Sequence, residues 1–246
     1  MDRAIFTALS GAQHILDQQA TNMNNLANGS STGFKGQMES FRSIQVSGTG
    51  HASRTLVTNA LTSDDFSAGP ITQTGRILDV AIQGQGWFSV MRPDGSEAYT
   101  RNGSFQVDQN GFLQTASGLS VLGASGPITI PPESIISIAE DGTISTMSDN
   151  LIPGASNTID RLKLSKPSED NLTRTPEGLF VIADGAQVPV AEDVKVTSGA
   201  IEGSNVNIVS AMVNMISLSR QFDVQMKIIH SIEANDSKAS DLYKLT

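Results

Sequence analysis

Gly203-Ser204-Asn205-Val206-Asn207-Ile208-Val209-Ser210-Ala211-Met212-Val213-Asn214-Met215-Ile216 opens the stretch that decides the fold, and the same pattern runs on to Leu245. After the glycine stop at Gly203, apolar residues fall at Ile208, Met212, Met215, Phe222, Met226 and Ile229, three and four apart with Ser219 at the vacant step. That is a helical period. Val209, Val213, Ile216, Ile228 and Ile232 form a second stripe beside the first, so the apolar face is wider than a two-stranded seam requires and suits several neighbours. Ser204 or Asn205 is placed to cap the start. At 1.5 Å per residue such a helix reaches roughly 60 Å, more than the ~30–40 Å breadth of an ordinary domain of this chain length. The sequence therefore predicts a terminal helix that is not satisfied within one globule.

The other end mirrors it. From Asp2 to Asn28, Ile5, Leu9, Ala12, Leu16, Met23 and Leu26 recur close to a heptad, with Gln19 at the remaining core step. The face is thinner and crowded with amides (Gln13, Gln18, Asn22, Asn24, Asn25), which suit a packed bundle whose members bond sideways to copies of themselves. Asn28-Gly29 is expected to end this helix with a pair that tolerates positive φ.

Between the helices the pattern changes twice. Residues 29–75 are mostly Ser, Thr, Gly and Ala with scattered anchors such as Val46 and Phe66, too little apolar content for a core, and read as an extended linker arm. From Ile77 onward short apolar runs alternate with turns: Leu78, Val80 and Ile82; Trp87, Phe88 and Val90; Phe105 and Val107; Ile135, Ile136 and Ile138; Leu179 to Ile182; Val194 and Val196. Pro93-Asp94-Gly95, Asn110-Gly111 and Asp141-Gly142 supply the turns, and a loop passes through Pro153. Strands every eight to twelve residues with no helix between them mean an antiparallel β domain. The reading is α+β: an N-terminal helix over 1–28, an arm over 29–75, a central all-β domain over 76–202 and a C-terminal helix over 203–246.

Composition narrows the function by exclusion. The formal charge of −9 comes without a basic block, which argues against nucleic acid or an anionic membrane as the principal partner. Zero cysteines exclude disulfides and thiolate chemistry. His14, His51 and His230 lie too far apart in sequence to suggest a metal site. Gly29-x-x-x-Gly33-x-Lys35 lacks phosphate-loop spacing, and Gly84-Gln85-Gly86 lacks the third glycine of a dinucleotide fingerprint. Carboxylates such as Asp94, Asp108, Asp141 and Asp184 sit in turns, where they bond to backbone. No catalytic residue, cofactor or metal is expected, and no stretch is long and apolar enough for membrane insertion. Met1 to Leu16 lacks the basic region and apolar run of a secretory signal, as expected of a chain that stays in the cytoplasm or leaves by a route that does not read one.

Four segments, in order, then carry a resemblance. They are Asn24-Asn25-Leu26-Ala27-Asn28 with Ser31-Thr32-Gly33-Phe34-Lys35; Leu78-Asp79-Val80-Ala81-Ile82-x-Gly84-x-Gly86; Tyr99-Thr100-Arg101-Asn102-Gly103-Ser104-Phe105; and Gly203-Ser204-Asn205-Val206-Asn207 with Met212-Val213-Asn214-Met215-Ile216. Over essentially its whole length the chain resembles the flagellar rod and hook family of axial proteins. Met1-Asp2-x-Ala4-Ile5, Gln18-Gln19-Ala20 and Gln225-Met226-Lys227 look most like its proximal rod members. The resemblance implies a non-enzymatic structural subunit of the basal-body rod, with terminal helices pairing as a coiled coil in the inner tube and the β domain outside. It implies other proximal and distal rod subunits and copies of itself as partners, torque transmission, and a share in the wall of the export channel. It also implies passage through the flagellar type III export apparatus to the periplasmic space without a cleaved signal peptide. A distal rod or hook-type subunit is the alternative. The expected assembly interface is Ile5, Leu9, Leu16, Met23, Leu26, Gly33, Phe34, Met212, Met215, Phe222, Met226 and Ile229, with Gly33 aiming Phe34 into a crevice between neighbouring subunits or against the C-terminal helix.

Overall fold

A computed structural model describes residues 2–45, 55–132, 134–148, 156–182 and 188–244. Met1, Val46, His51, Pro153, Asp184 and Leu245, named above, lie outside the described residues. The chain divides into two compact units, one formed by Met1–Gly29, Gly36–Asp65 and Val206–Thr246, the other by Ser30–Lys35 and Phe66–Asn205.

In the first unit, helix α1 spans Asp2–Ala27 and helix α2 spans Ile208–Lys244. At 1.5 Å per residue these are about 39 and 55 Å long. The start of α2 differs from the expectation. Asn207 is the cap, its Oδ1 accepting the Ser210 N–H at 3.0 Å and its carbonyl accepting Ala211 N–H at 2.9 Å. Ser204 and Asn205 are engaged elsewhere: Ser204 is buried and the Asn205 amide donates to the Ser67 carbonyl at 3.3 Å, so the first residue free to cap lies two further on. Asn28-Gly29 does end α1, but Gly29 is not among the positive-φ glycines. An added Cβ there would come within 2.6 Å of Ile208 Cγ1, so the position needs glycine for close packing.

Helices α1 and α2 lie antiparallel in this unit, with Asn22 beside Ala211 and Gly11 beside Gln225. The expected coiled-coil pairing is corrected here. Buried contact on these helices comes from small residues and one isoleucine, Ala8, Ala12, Ile15 and Ala211, and from Asn22 Nδ2 donating to the Ala211 carbonyl at 2.7 Å. The large side chains that would serve as knobs in a coiled-coil seam, Leu9, Leu16, Met23 and Met212, are 55, 49, 47 and 47% exposed. What is observed is an α+β fold with two terminal helices and a large antiparallel β unit.

Strand β1 (Gln37–Gln45) pairs with β2 (Thr55–Asp64) as an antiparallel hairpin, Gln37 opposite Asp64, with a bulge between Ser40 and Phe41. It occupies part of the stretch read as an arm. Its Ser/Thr-rich strands lack the apolar content for a core, and the hairpin instead lies against α1, where the rings of His14 and Phe41 meet edge-on at 5.2 Å. Two amides of α1, Asn22 and Asn25, bond within the chain. Asn25 Nδ2 donates to the Gln37 carbonyl at 2.7 Å, and Asn25 Oδ1 accepts the Gln37 N–H at 2.8 Å.

The second unit is antiparallel β throughout its paired strands, as the turn spacing predicts. An 8-stranded sheet includes Trp87–Met91, Glu97–Thr100, Phe105–Val107 and Leu113–Thr115. A 3-stranded sheet is formed by Ser134–Ile138, Thr143–Ser148 and Ser156–Arg161. Two short ladders join distant chain: Val80–Gln83 with Lys195–Ser198, and Ile71–Gln73 with Ala200–Glu202. The core gathers the inward residues of the alternating runs, among them Val80, Phe88, Val90, Phe105, Leu113, Ile144, Leu164 and Val196, each 0 or 1% exposed. A smaller cluster of Trp87, Tyr99, Leu172 and Phe180 takes Phe66 against it. Turn carboxylates behave as expected: Asp94, Asp108 and Asp141 accept the backbone N–H two residues on, from Ser96, Asn110 and Thr143.

Candidate assembly surfaces and a buried clasp

The residues expected at the assembly interface divide into three groups. On α1, Leu9, Leu16 and Met23 stand exposed in line with Phe6, Gln13 and Ala20, a stripe that steps three and four residues along one side. Ile5 and Leu26 are half-buried. On α2, Met215, Phe222, Met226 and Ile229 are half-buried along the side that carries Ala211, while Met212 is exposed. The second apolar stripe is the more open. Val209, Val213 and Ile216 are 70, 60 and 52% exposed over the first turns of α2. Phe6, 61% exposed, lies on the α1 stripe beside Ile5, which the heptad places at that step.

Gly33 and Phe34 form the third group and belong to a different structure. Ser30–Lys35 forms part of the β unit, with Gly33 N–H donating to the Glu202 carbonyl at 2.8 Å and Asn205 N–H to the Phe34 carbonyl at 3.3 Å. Gly33 has φ of 67°, and its Cα faces the Arg101–Asn102 peptide. The Arg174 guanidinium lies 5.0 Å from the Phe34 ring centroid and 4.9 Å from that of Phe180, so Phe34 is half-buried against its own chain in a cation–aromatic stack. Arg174 also donates to the Lys35 carbonyl.

Beneath the stack is a buried ionic cluster that the sequence reading missed. Lys35 Nζ donates to Glu202 Oε1 at 2.7 Å and to the Ser67 carbonyl at 2.7 Å. Arg101 Nη1 donates to Glu202 Oε2 at 2.9 Å, and Gly69 N–H to Glu202 Oε1 at 3.0 Å. Lys35 and Glu202 are 1% exposed and Arg101 5%. Charges this deep need pairing and hydrogen bonds, and in this cluster only the Arg101 Nε is left without a hydrogen-bond partner among the described residues. Arg101 meets that need further by donating to the Gly84 carbonyl at 2.7 Å and lying 5.4 Å from the Trp87 ring centroid. A signal was present: each charge adjoins or nearly adjoins a glycine in a quoted segment (Gly33-x-Lys35, Arg101-x-Gly103, Glu202-Gly203), where close backbone packing leaves a charged side chain facing inward.

Asp79 forms a second network. Thr74 Oγ1 donates to its Oδ2 at 2.7 Å, Arg76 Nη2 donates to Oδ1, and Gly199 N–H donates to its carbonyl at 2.8 Å. Burial pushes the carboxyl up, but the hydrogen bonds from Arg76, Thr74 and Ser104 together with the Arg76 charge outweigh it and hold Asp79 below its ordinary value of 3.8. A carboxyl depressed in the folded chain stabilises it fully above the unfolded value, and that contribution is lost as pH falls through the folded value. Asp79→Asn is therefore expected to lower the urea midpoint at neutral pH, and the gap from the parent chain should close well below pH 3.8. A gap independent of pH would show that the loss is one of packing.

Among the described residues no helix is long and apolar enough to cross a membrane, and no group of three or more His, Asp or Glu could hold a metal ion. Comparison with known proteins completes the picture. A family model described as the flagellar hook protein FlgE/F/G D1 domain matches residues 81–146, and one described as the flagellar basal body rod FlgEFG protein C-terminal matches residues 197–242. The chain is 42% identical over 252 aligned positions to flagellar basal-body rod protein FlgF of Salmonella typhimurium strain LT2, covering 100% of both chains. The identity to FlgF of Escherichia coli strain K12 is also 42%, again over 100% of both. Flagellar basal-body rod protein FlgG of Buchnera aphidicola subsp. Schizaphis graminum is 34% identical, with 92% of this chain and 96% of that one covered.

Proposed function

Since the chain belongs to the flagellar FlgE/F/G family of basal-body rod proteins, we propose that it occupies the proximal part of the rod and is held there by the exposed apolar stripes of α1 and α2. It is a structural, non-enzymatic subunit of the flagellar basal body that assembles with other rod subunits. The finer points are our reading: neighbours of the proximal and distal rod together with copies of itself, export through the flagellar type III apparatus, a periplasmic position without a cleaved signal peptide, and a part in torque transmission and in the wall of the export channel. The two FlgF relatives of 42% identity, each matched over the whole of both chains, support the proximal position over the distal rod.

The observation that carries this reading is the row Phe6, Leu9, Leu16 and Met23 on α1 with Val209, Val213 and Ile216 on α2, large apolar side chains left exposed within one or two turns of each other along each helix. Contiguous exposed apolar surface marks an interaction site. Replacing both Leu9 and Leu16 by Glu tests it, because the side chains are already half exposed or nearly so and the free subunit loses little by the change. The double variant is expected to be exported and folded but missing from isolated basal bodies, with swimming lost. Normal incorporation would sink the proposal for this face.

A further inference from the structure

We propose that Ser30–Lys35 is a reversible strap that opens as a local unit while the β core stays folded, with Arg101 keeping Glu202 paired in its absence.

The segment contributes little apolar burial. Phe34 is its one aromatic residue and is half-buried, and the rest is Ser, Ser, Thr, Gly and Lys. Its holds include the Lys35–Glu202 pair, the Lys35 bond to the Ser67 carbonyl, the backbone bonds of Gly33 to Glu202 and Asn205 to Phe34, the Arg174 bond to the Lys35 carbonyl and the Arg174 stack. Removing one partner of a buried ion pair is ordinarily destabilising because the other charge is left alone. Here it is not left alone. Glu202 Oε2 keeps Arg101 Nη1 at 2.9 Å, and Oε1 keeps the Gly69 N–H at 3.0 Å. Arg101 is in turn anchored on Gly84 and Trp87, none of them part of the strap. Lys35 leaves with its own charge and regains water. The Glu202 carboxylate therefore keeps a cation and a backbone donor without the strap, and opening exposes one ring, one ammonium group, the Ser67 carbonyl and the backbone bonds of Gly33, Phe34 and Lys35. Segments with few buried apolar contacts open below the threshold for global unfolding.

Hydrogen exchange of the free full-length chain followed by mass spectrometry tests this without reference to rods. The peptide covering residues 30–36 is expected to exchange roughly tenfold faster or more than the one covering 87–91, with a weak urea dependence because little surface is exposed. Lys35→Met should speed the strap by about a further tenfold while leaving the urea midpoint of Trp87 fluorescence unchanged. Trypsin offers an independent reading on the unaltered chain, since Lys35, 1% exposed, becomes a substrate only when the strap opens. Cleavage after Lys35 should proceed in conditions where the Trp87 signal remains native. Equal exchange rates and equal urea dependence for strap and core, or cleavage that tracks global unfolding, would overturn the proposal. So would a Lys35→Met chain whose strap exchanges as before.

Discussion

Gly33→Val should detach the strap from the β unit and abolish incorporation into rods, while the urea midpoint reported by Trp87 changes little. Two costs fall on one residue. At φ of 67° any L side chain is strained, and an added Cβ would stand 2.7 Å from the Arg101 carbonyl oxygen and closer still to the Arg101 carbonyl carbon and Asn102 nitrogen. Backbone that is itself held in a sheet-linked turn cannot step aside as a flexible side chain could. Left-handed strain of about 1–2 kcal/mol and overpacking of about 1–3 kcal/mol together exceed what a strap with one half-buried ring gains by docking. Gly75→Val separates the two costs, for Gly75 has φ of 74° with nothing within 4 Å of the added Cβ. It should show the strain alone, roughly 1–2 kcal/mol, with the strap in place. If Gly33→Val proved no worse than Gly75→Val in strap exchange, close packing on Arg101 and Asn102 would not be the reason for glycine there.

Glu202→Ala is the change expected to damage the β unit itself. It leaves Arg101, 5% exposed, facing a hole where its carboxylate stood, and it removes the acceptor for Gly69 N–H. Breaking a buried pair by deleting one partner costs about 3–5 kcal/mol, a large share of the roughly 5–15 kcal/mol that holds an ordinary domain together. The measurement is urea unfolding followed through Trp87, the single tryptophan, which lies in the cluster adjoining Arg101. Glu202→Gln should fall between parent and Glu202→Ala because its amide oxygen still accepts from Gly69. Lys35→Met, by contrast, should leave this midpoint where it was. An equal loss from the Lys35 and Glu202 changes would mean that the three charges act as one structural unit.

Much of this molecule is legible where the determining interactions are local. Asn110-Gly111 and Pro93-Asp94-Gly95 close hairpins because glycine at φ of 86° and 82° relieves the strain of the turn within a few residues. The helical stripes are equally local, since spacing of three and four along the chain fixes a common side whatever lies opposite. In the larger core, Val80, Ile82, Phe88, Val90, Phe105, Ile138, Leu179, Val194 and Val196 come from the alternating runs. The family, too, is carried by short segments in fixed order.

The sequence by itself thus determined two terminal helices, an antiparallel β unit between them and membership of an axial structural family, because period, turn chemistry and motif are properties of neighbouring residues. Tertiary structure alone decided which stripe of each helix is covered and by what. Periodicity marks a face without naming its occupant, so Ala12 is buried as the heptad has it, while Ala8, Ile15 and Ala211 are buried and Leu9, Leu16 and Met212 stand exposed. It alone also decided that Lys35 meets Glu202 across 167 residues, with Arg101 as the second cation. A lone Lys or Glu in a polar stretch reads as a solvated charge. Only the fold, by drawing three glycine-bearing segments to one place and excluding water from it, turns those side chains into a buried lock.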